Sequence, residues 1–505
     1  MSEGLQEAAR LYAARDYSGA EAVCRAIVRD DPRAFDVLHL LGVVLTLQER
    51  AEEAVTFLRR AERERPDHPQ MRVNLGNALL AVKRYEEAVA VSQVDDAAAL
   101  NNLGLAYRGL EQGEEAAEAF RRAAGVRRDY APAWFNLATT LSALDRPEEA
   151  LDAAQAALRV APADTPVPRL ADITNEIGRA LMALGRVEEA LATCRRFLQR
   201  YPGQQAVLWN MSLCLLSLGD FAEGWRAYEH RFGLPGHDER PEGAGVLDPD
   251  RVAGKRVLIL TEQGRGDMLQ FVRYAPLLAE RGATVLVQAY PDLVALLEAT
   301  PGVASVVSTA DPRPEADLVT PLMSLPLAFG GHPANVPYLR VPAGRSGQLG
   351  PRRGRRIGVA WSGSVHSHKR SAMPACMLAP LFALPGVEFH CLQKDIVEAD
   401  QAWLEAVRPP VALHGAALRD FADTAALVAE MDLVVTIDTA IVHLAGGLGV
   451  PTWLMLPFNP DWRWMRMRSD SPWYPTVRLF RQTARGGWDA VVRAVIAAIG
   501  GQGGW

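Results

Sequence analysis

Two short turns in this chain carry residue types and spacings suited to holding a phosphorylated small molecule. The first is Glu262-Gln263-Gly264-Arg265-Gly266-Asp267, which follows the apolar run Val257–Thr261 and opens the helical stretch beginning Met268-Leu269-Gln270-Phe271. The second is Asp438-Thr439, between the apolar run Leu433–Ile437 and the helical stretch Ala440–Leu448. A strand that turns directly into a helix presents unpaired backbone N–H groups and the positive end of the helix dipole at the turn. Gly264 and Gly266 let the backbone come close to a ligand, and Thr439 adds a hydroxyl able to donate to a phosphate. His443, four residues beyond Thr439, shares its helical face and either points to the pocket or fills the core. Asp267 and Asp438 also suit helix N-caps, for which Asp is among the best residues.

A third turn, Trp361-Ser362-Gly363-Ser364, ends the run Ile357–Trp361 and is followed by His366, His368, Lys369 and Arg370. Lys369 and Arg370 are candidates for neutralising phosphate charge, with exposed loop charge as the alternative. Gln393-Lys394, ending the run Phe389–Leu392, sit where a base or ribose would be read. Asn459, Asp461 and Trp462 lie beyond the last apolar run, Thr452–Leu456, and are expected to line the same cleft.

These turns need elements to position them. Val257–Thr261, a helix, Gly282 and the run Thr284–Gln288 form the β-α-β opening of a nucleotide-binding type of fold. The runs at Ile357, Val387, Leu433 and Thr452 build a second α/β block after the basic, Gly-rich link Gly344–Arg356, whose five arginines read as a solvated hinge face. In open parallel sheets, ligands bind beyond the carboxyl ends of the strands, where all three turns fall. Gly264–Gly266 lacks the third glycine of the dinucleotide spacing, so that fingerprint is incomplete.

The first half of the chain is repetitive. Gly42, Gly76, Gly104, Ala138, Gly178 and Ser212 recur at intervals of 34, 28, 34, 40 and 34 residues, and Ala54, Ala88, Ala116, Ala150, Ala190 and Gly224 follow each by twelve. Small residues at fixed positions let paired helices pack closely. The pattern resembles the tetratricopeptide repeat, with the unit Pro132–Asp164 matching best, and gives about seven hairpins from residue 4 to about 232. The 28-residue interval predicts a shortened helix near Val91–Asp96, and the 40-residue interval an insertion near Pro166–Arg169. Asn74, Asn102, Asn136 and Asn210 lie two residues before the small position, on the side expected to face a concave groove. An Asn there offers a donor and an acceptor to an extended peptide. Its alternative is a residue simply common at that repeat position. Trp225, Tyr228 and Arg231 end the last hairpin, and the aromatic pair is expected to bury the open end of the solenoid.

Composition narrows the classes. A net charge of −6 gives no electrostatic case for nucleic acid or anionic membrane, and 49% hydrophobic with 23% charged residues is ordinary globular material. The first 30 residues lack the apolar core of a secretory signal, and no run approaches a membrane span, so a cytoplasmic protein is expected. Five cysteines without metal spacing read as buried free thiols, and no metal site is expected.

Two stretches carry a more specific resemblance. Val435-Thr-Ile-Asp438-Thr439-Ala-Ile-Val-His443-Leu-Ala-Gly-Gly-Leu-Gly-Val-Pro451 resembles the donor-site signature of heptosyltransferase-like glycosyltransferases, and Gly266-Asp267 resembles their N-terminal Gly-Asp motif. Gln263-Gly-x-Gly-Asp-x-Leu-Gln-Phe-x-Arg-Tyr274, Gly358-x-Ala-Trp-Ser-Gly363 and Asp461-Trp-Arg-Trp464…Ser471-Pro-Trp-Tyr474-Pro are similar to bacterial proteins in which tetratricopeptide repeats precede such a domain, including flagellin glycosyltransferases. The resemblance implies an α + α/β chain: a repeat solenoid followed by a GT-B fold of two Rossmann-like halves. It implies that Asp267 is the general base that deprotonates an acceptor hydroxyl, that His443 belongs to the catalytic pocket, and that the chemistry is inverting and metal-independent. No cofactor is implied beyond a nucleotide-sugar co-substrate. For the flagellin group the acceptor is flagellin, modified on Ser or Thr, and the donor a CMP-nonulosonic acid such as CMP-pseudaminic acid. UDP-N-acetylglucosamine or a heptose nucleotide is the alternative donor, and a noncatalytic repeat scaffold with a degenerate transferase domain the alternative function.

The expected boundaries are 1–232 for the solenoid, 233–250 for a linker, 251–342 for the acceptor-side half, 343–356 for the hinge and 357–505 for the donor-side half. Two departures from the family stand out. Ser367-His-Lys369-Arg370-Ser-Ala-Met replaces an Asp-Arg-x-Arg-Ser-type segment, and the acceptor-side half is short. A shortened acceptor half fits a division of labour in which the repeats hold the acceptor protein.

Overall fold

The computed structural model describes residues 3–234, 239–331, 336–347, 349–363 and 373–501. The chain divides into two compact units, Met1–Val207 and Leu208–Trp505.

The first unit is a tetratricopeptide-repeat array of paired helices, from Glu3–Ala13 to Val187–Arg200. The small residues work as close-packing points. A Cβ added at Gly42 would stand 2.4 Å from Leu58 Cγ, and one at Gly104 would stand 2.6 Å from Phe120. Acidic pairs such as Glu52-Glu53, Glu114-Glu115 and Glu148-Glu149 occupy the first turns of the second helices, where they oppose the positive end of the helix dipole. The helix Tyr85–Val91 has 7 residues where most of its counterparts have 14, which accounts for the 28-residue interval. The insertion of the 40-residue interval is absorbed largely as helix: Val167–Ala183 runs 17 residues against 13 for Ala131–Ala143. Each hairpin turns on one left-handed residue: Arg15, Glu49, Lys83, Glu111, Asp145 and then Gly185, with φ between 58° and 74°. The left-handed conformation ends the first helix and aims the chain into the second.

The second unit holds two parallel sheets flanked by helices, as expected of two Rossmann-like halves. The first contains β1 (Arg256–Leu260), β2 (Thr284–Ala289), β3 (Val303–Ser308) and β4 (Leu318–Pro321) in the order β3-β2-β1-β4. The second contains β5 (Arg355–Ala360), β6 (Val387–Cys391), β7 (Val411–Leu413), β8 (Leu433–Ile437), β9 (Thr452–Leu456) and β10 (Val477–Arg481) in the order β10-β9-β8-β5-β6-β7. The inner strands β1, β2, β5, β8 and β9 are buried almost throughout, the usual state of parallel strands, whereas the edge strands β3 and β7 are partly exposed. Each order reverses direction once, between β1 and β4 in one sheet and between β5 and β8 in the other. Crevices for ligands form at such switch points.

Three expectations need correction here. The seventh helical hairpin, Gln205–Leu218 with Phe221–Tyr228, falls almost wholly in the second unit. Trp225 and Tyr228 do pack in a core, but it is the α/β core. Trp225 makes edge-on ring contacts with Phe271 at 5.7 Å and with Trp462 at 5.2 Å. The segment read as a linker also joins this unit, since Gly245 N–H donates to Val319 O of β4 at 3.1 Å. Nor are the hinge arginines simply solvated: Arg345 pairs with Asp420 and Asp423, Arg352 with Asp432, and Arg356 is buried.

Candidate functional site

The two diagnostic turns meet at the junction of the two α/β halves. Gly264 begins the helix Arg265–Phe271, and Thr439 begins Ala440–Leu448, its hydroxyl accepting from Ile441 N–H at 3.3 Å. That bond uses an acceptor lone pair and leaves the Thr439 proton available to a ligand. The two helices pack directly on each other at Gly266: a Cβ there would stand 3.1 Å from His443 Cδ2 and 3.7 Å from Ala440 Cα. Gly266 therefore serves helix–helix approach, whereas a phosphate-cradling role was expected. His443 is buried. Its Nδ1 lies 2.9 Å from Tyr474 Oη, and its ring stacks on Trp464 with centroids 5.5 Å apart. Asp438 is half-buried beside Thr439 at the end of β8.

Asp267 is held by two partners. Its Oδ2 accepts from Gly264 N–H at 2.8 Å, closing the first turn of the helix, and its Oδ1 pairs with Arg463. Arg463, absent from the residues singled out in the sequence, is the hub of this junction. Its Nε donates to Gln270 Oε1 at 2.7 Å, one amino group donates to Asp461 Oδ1 at 2.8 Å, and the other reaches Asp267. Burial alone would lower the proton affinity of this guanidinium, but Asp461 and Asp267 outweigh it and raise the pKa. Both capping and charge pairing thus occur at Asp267, and the pairing spans 196 residues of sequence.

Several residues expected to face the donor are instead internal. Trp361 is fully buried, with its indole N–H on Asp400 Oδ2 at 2.9 Å. Gln393 is buried and spends its amide inside the protein: Oε1 accepts from Trp361 N at 2.6 Å and Ser362 N at 3.2 Å, and Nε2 donates to Ser362 Oγ at 2.7 Å. It stitches the ends of β5 and β6 together, so Trp361, Ser362 and Gln393 hold these strand ends instead of facing a ligand. Trp462 is buried against Trp225 and under Arg463, whose guanidinium carbon sits 4.3 Å from its ring centroid. Gln263 takes a left-handed backbone (φ 60°) and donates to Tyr228 Oη at 2.8 Å. Lys394 is exposed with Nζ on Arg419 O at 3.1 Å, and Asn459 and Asp461 are exposed. Gly363 is half-buried, whereas Lys369 and Arg370 lie outside the described residues.

The seventh hairpin reaches the same junction through a buried ion cluster. Arg231 forms a two-pronged pair with Glu262, at 3.0 and 2.9 Å, and donates to Glu229 at 2.9 Å and to Ser324 Oγ at 3.1 Å. Burial works against its charge, and Glu262 and Glu229 more than restore it. Glu262 is the residue just before Gln263, so the turn after β1 is clamped by the hairpin.

The repeat asparagines split by environment. Asn102 is buried and donates to Val73 O at 3.1 Å, tying neighbouring helices together, so its expected groove contact is corrected. Asn136 donates to Asn101 Oδ1 at 2.9 Å, and Asn74 lies 2.7 Å from His39 Nε2; both are partly exposed, as is Asn210. Among the described residues no cluster of His, Cys, Asp and Glu has the makings of a metal site, and no helix is long and apolar enough to cross a membrane. All five cysteines are free, but Cys376 is exposed where a buried thiol was expected.

Comparison with known proteins follows the same division. Residues 70–133, 101–166, 135–205 and 175–229 match the family described as tetratricopeptide repeat, and residues 13–94 match anaphase-promoting complex, cyclosome, subunit 3. Protein FlbA of Caulobacter vibrioides is 27% identical over 544 residues, covering 96% of this chain and 87% of that protein. Among solved structures, Pseudomonas aeruginosa pilF is 19% identical with a TM-score of 0.35 and covers 40% of this chain and 93% of its own. YrrB, described as a TPR protein with an unusual peptide-binding site, is 18% identical with a TM-score of 0.30 and covers 37% of this chain and 95% of its own. The N-terminal part of the chain is thus a tetratricopeptide-repeat array, a module that binds proteins and peptides.

Proposed function

We propose that this protein is a glycosyltransferase that moves a sugar from a nucleotide-activated donor to Ser or Thr hydroxyls of a protein gripped by the repeats. The observation that carries this reading is the meeting of the Gly266-Asp267 turn and the Thr439–His443 helix, each at the switch point of its own parallel sheet. These are the two stretches that resemble the glycosyltransferase signature. The helix dipole and the hydroxyl of Thr439 would face the donor's phosphate as it departs. Lys369 and Arg370, which follow Gly363 in sequence, would add positive charge.

Flagellin is the acceptor favoured by the resemblance, with a CMP-nonulosonic acid as donor and UDP-N-acetylglucosamine or a heptose nucleotide as the alternative. The alignment with protein FlbA over 96% of the chain supports repeats and α/β halves acting as one architecture. A noncatalytic scaffold is the second reading, favoured by the double engagement of Asp267. Nucleotide binding separates the two: isothermal titration of the full chain with CMP, UDP and ADP should give saturable binding to one of them if the α/β unit holds a donor. A chain that binds none of the three would favour the scaffold.

A further inference from the structure

We infer that Asp461, rather than Asp267, is the carboxylate that takes the acceptor's proton, with Arg463 and Asp267 positioning it. This assignment rests on the transferase reading above. Arg463 holds both carboxylates on adjacent amino groups of one guanidinium, but it holds them differently. Asp267 has each oxygen engaged, Oδ1 by Arg463 and Oδ2 by Gly264 N–H, and its side chain is 18% exposed. Asp461 makes both of its contacts through one oxygen: Oδ1 accepts from Arg463 N at 3.0 Å and from the Arg463 amino group at 2.8 Å. Its Oδ2 has no protein partner among the described residues, and its side chain is 36% exposed. A general base needs an oxygen open to the substrate proton, and Asp461 Oδ2 is the one carboxylate oxygen of the pair that accepts no hydrogen bond among the described residues.

The surrounding network is built as support. One cation faces two carboxylates, so the trio carries net negative charge, and Gln270 holds Arg463 from its third side. Gln270 is fully buried, and its Nε2 donor has no partner, an unused polar atom inside the same network. Asp461 lies in the loop after β9, the strand that pairs with β8. Asp267 enters from the other half of the unit. Its pairing with Arg463 fixes the guanidinium, and the guanidinium in turn fixes Asp461 Oδ1 and leaves Oδ2 outward.

The step balances without a further reactant. The acceptor Oγ forms a bond to the anomeric carbon while its proton passes to Asp461 Oδ2. The bond from the anomeric carbon to the phosphate oxygen breaks, and its electron pair leaves with the nucleotide.

The test uses the full chain with flagellin and a panel of CMP-nonulosonic acid, UDP-N-acetylglucosamine and ADP-heptose, read by intact mass. Asp461→Asn should slow transfer by roughly 10²-fold or more while CMP or UDP affinity and thermal unfolding stay near wild type. Asp461→Ala should regain transfer, by about tenfold, when formate is supplied as a diffusible base. Wild-type transfer rates in Asp461→Asn, or an Asp461→Ala variant that formate does not rescue, would overturn the assignment alone. Absence of transfer by wild type with every donor would overturn the transferase reading and this assignment with it.

Discussion

Gly266 lies bare against the imidazole of His443, so close that a single added methyl would stand 3.1 Å from the ring. This contact joins the helix after β1 to the helix after β8, and with it the two turns on which the functional reading depends. Gly266→Val should cost about 1–3 kcal/mol through overpacking. Urea denaturation of the full chain, followed through the second unit, measures it. An unchanged midpoint would mean that the two helices can part without loss.

The seventh hairpin behaves as part of the α/β unit. Its aromatic and ionic contacts, Trp225 on Trp462 and Arg231 on Glu262, come from residues upstream of the expected boundary. A fragment spanning 208–505 should therefore be soluble and unfold cooperatively, whereas one spanning 251–505 should aggregate. Size-exclusion chromatography and thermal melts of the two fragments decide this, and equal behaviour would refute the reassignment.

Arg231 is buried among Glu229, Glu262 and Ser324. Removing only the cation leaves Glu262 without its ion-pair partner while Glu229 keeps Arg240 at 2.9 Å, so Arg231→Met should destabilise by about 3 kcal/mol. The triple change Arg231→Met, Glu229→Gln, Glu262→Gln should recover much of that loss. A triple variant less stable than Arg231→Met would show that the carboxylates are held by other means.

Much of this architecture was legible in advance, and the reasons differ by element. The repeats and the apolar strands announced themselves by period, because helix pairs and buried parallel strands constrain every residue along them. The left-handed turns of the repeats were not visible, since Arg15, Glu49, Lys83, Glu111 and Asp145 carry no glycine to mark them. Trp462 and Gln393 were misjudged for one shared reason. Polar and aromatic residues just beyond a strand's carboxyl end serve equally to line a crevice or to bind neighbouring elements, and only long-range partners such as Trp225 or Ser362 tell which. Arg463 was missed because its three partners are spread from Asp267 to Asp461.

His390 and His414 stack with Nδ1 and Nε2 3.1 Å apart, near Glu388 and the buried Arg356. Burial first, then His414 and Arg356, depress His390 from 6.5 to about 4, and burial lowers His414 as well. A histidine depressed in the folded state stays neutral while its unfolded counterpart takes up a proton. Stability should therefore be intact above about pH 6.5 and fall as pH drops toward about 4, by up to roughly 3 kcal/mol for His390. His390→Asn should flatten that slope in denaturation measured from pH 7 to 4. A slope unchanged by the substitution would place the acid sensitivity elsewhere.

Thr439 Oγ1 accepts from Ile441 N–H, which leaves its hydroxyl proton free to donate. Thr439→Val should weaken binding of the donor nucleotide by roughly threefold to tenfold, the worth of one hydrogen bond, with little change in melting temperature. Equal affinity in calorimetry would remove Thr439 from the donor site.

The central claim is transfer of a sugar to a protein, and intact-mass spectrometry of flagellin coexpressed with this chain tests it most directly. With a CMP-nonulosonic acid pathway supplied, flagellin should gain mass in steps of one sugar residue, and those steps should vanish when either the chain or the donor pathway is omitted. Flagellin of unaltered mass with the CMP, UDP and heptose-nucleotide pathways each supplied in turn would contradict the account.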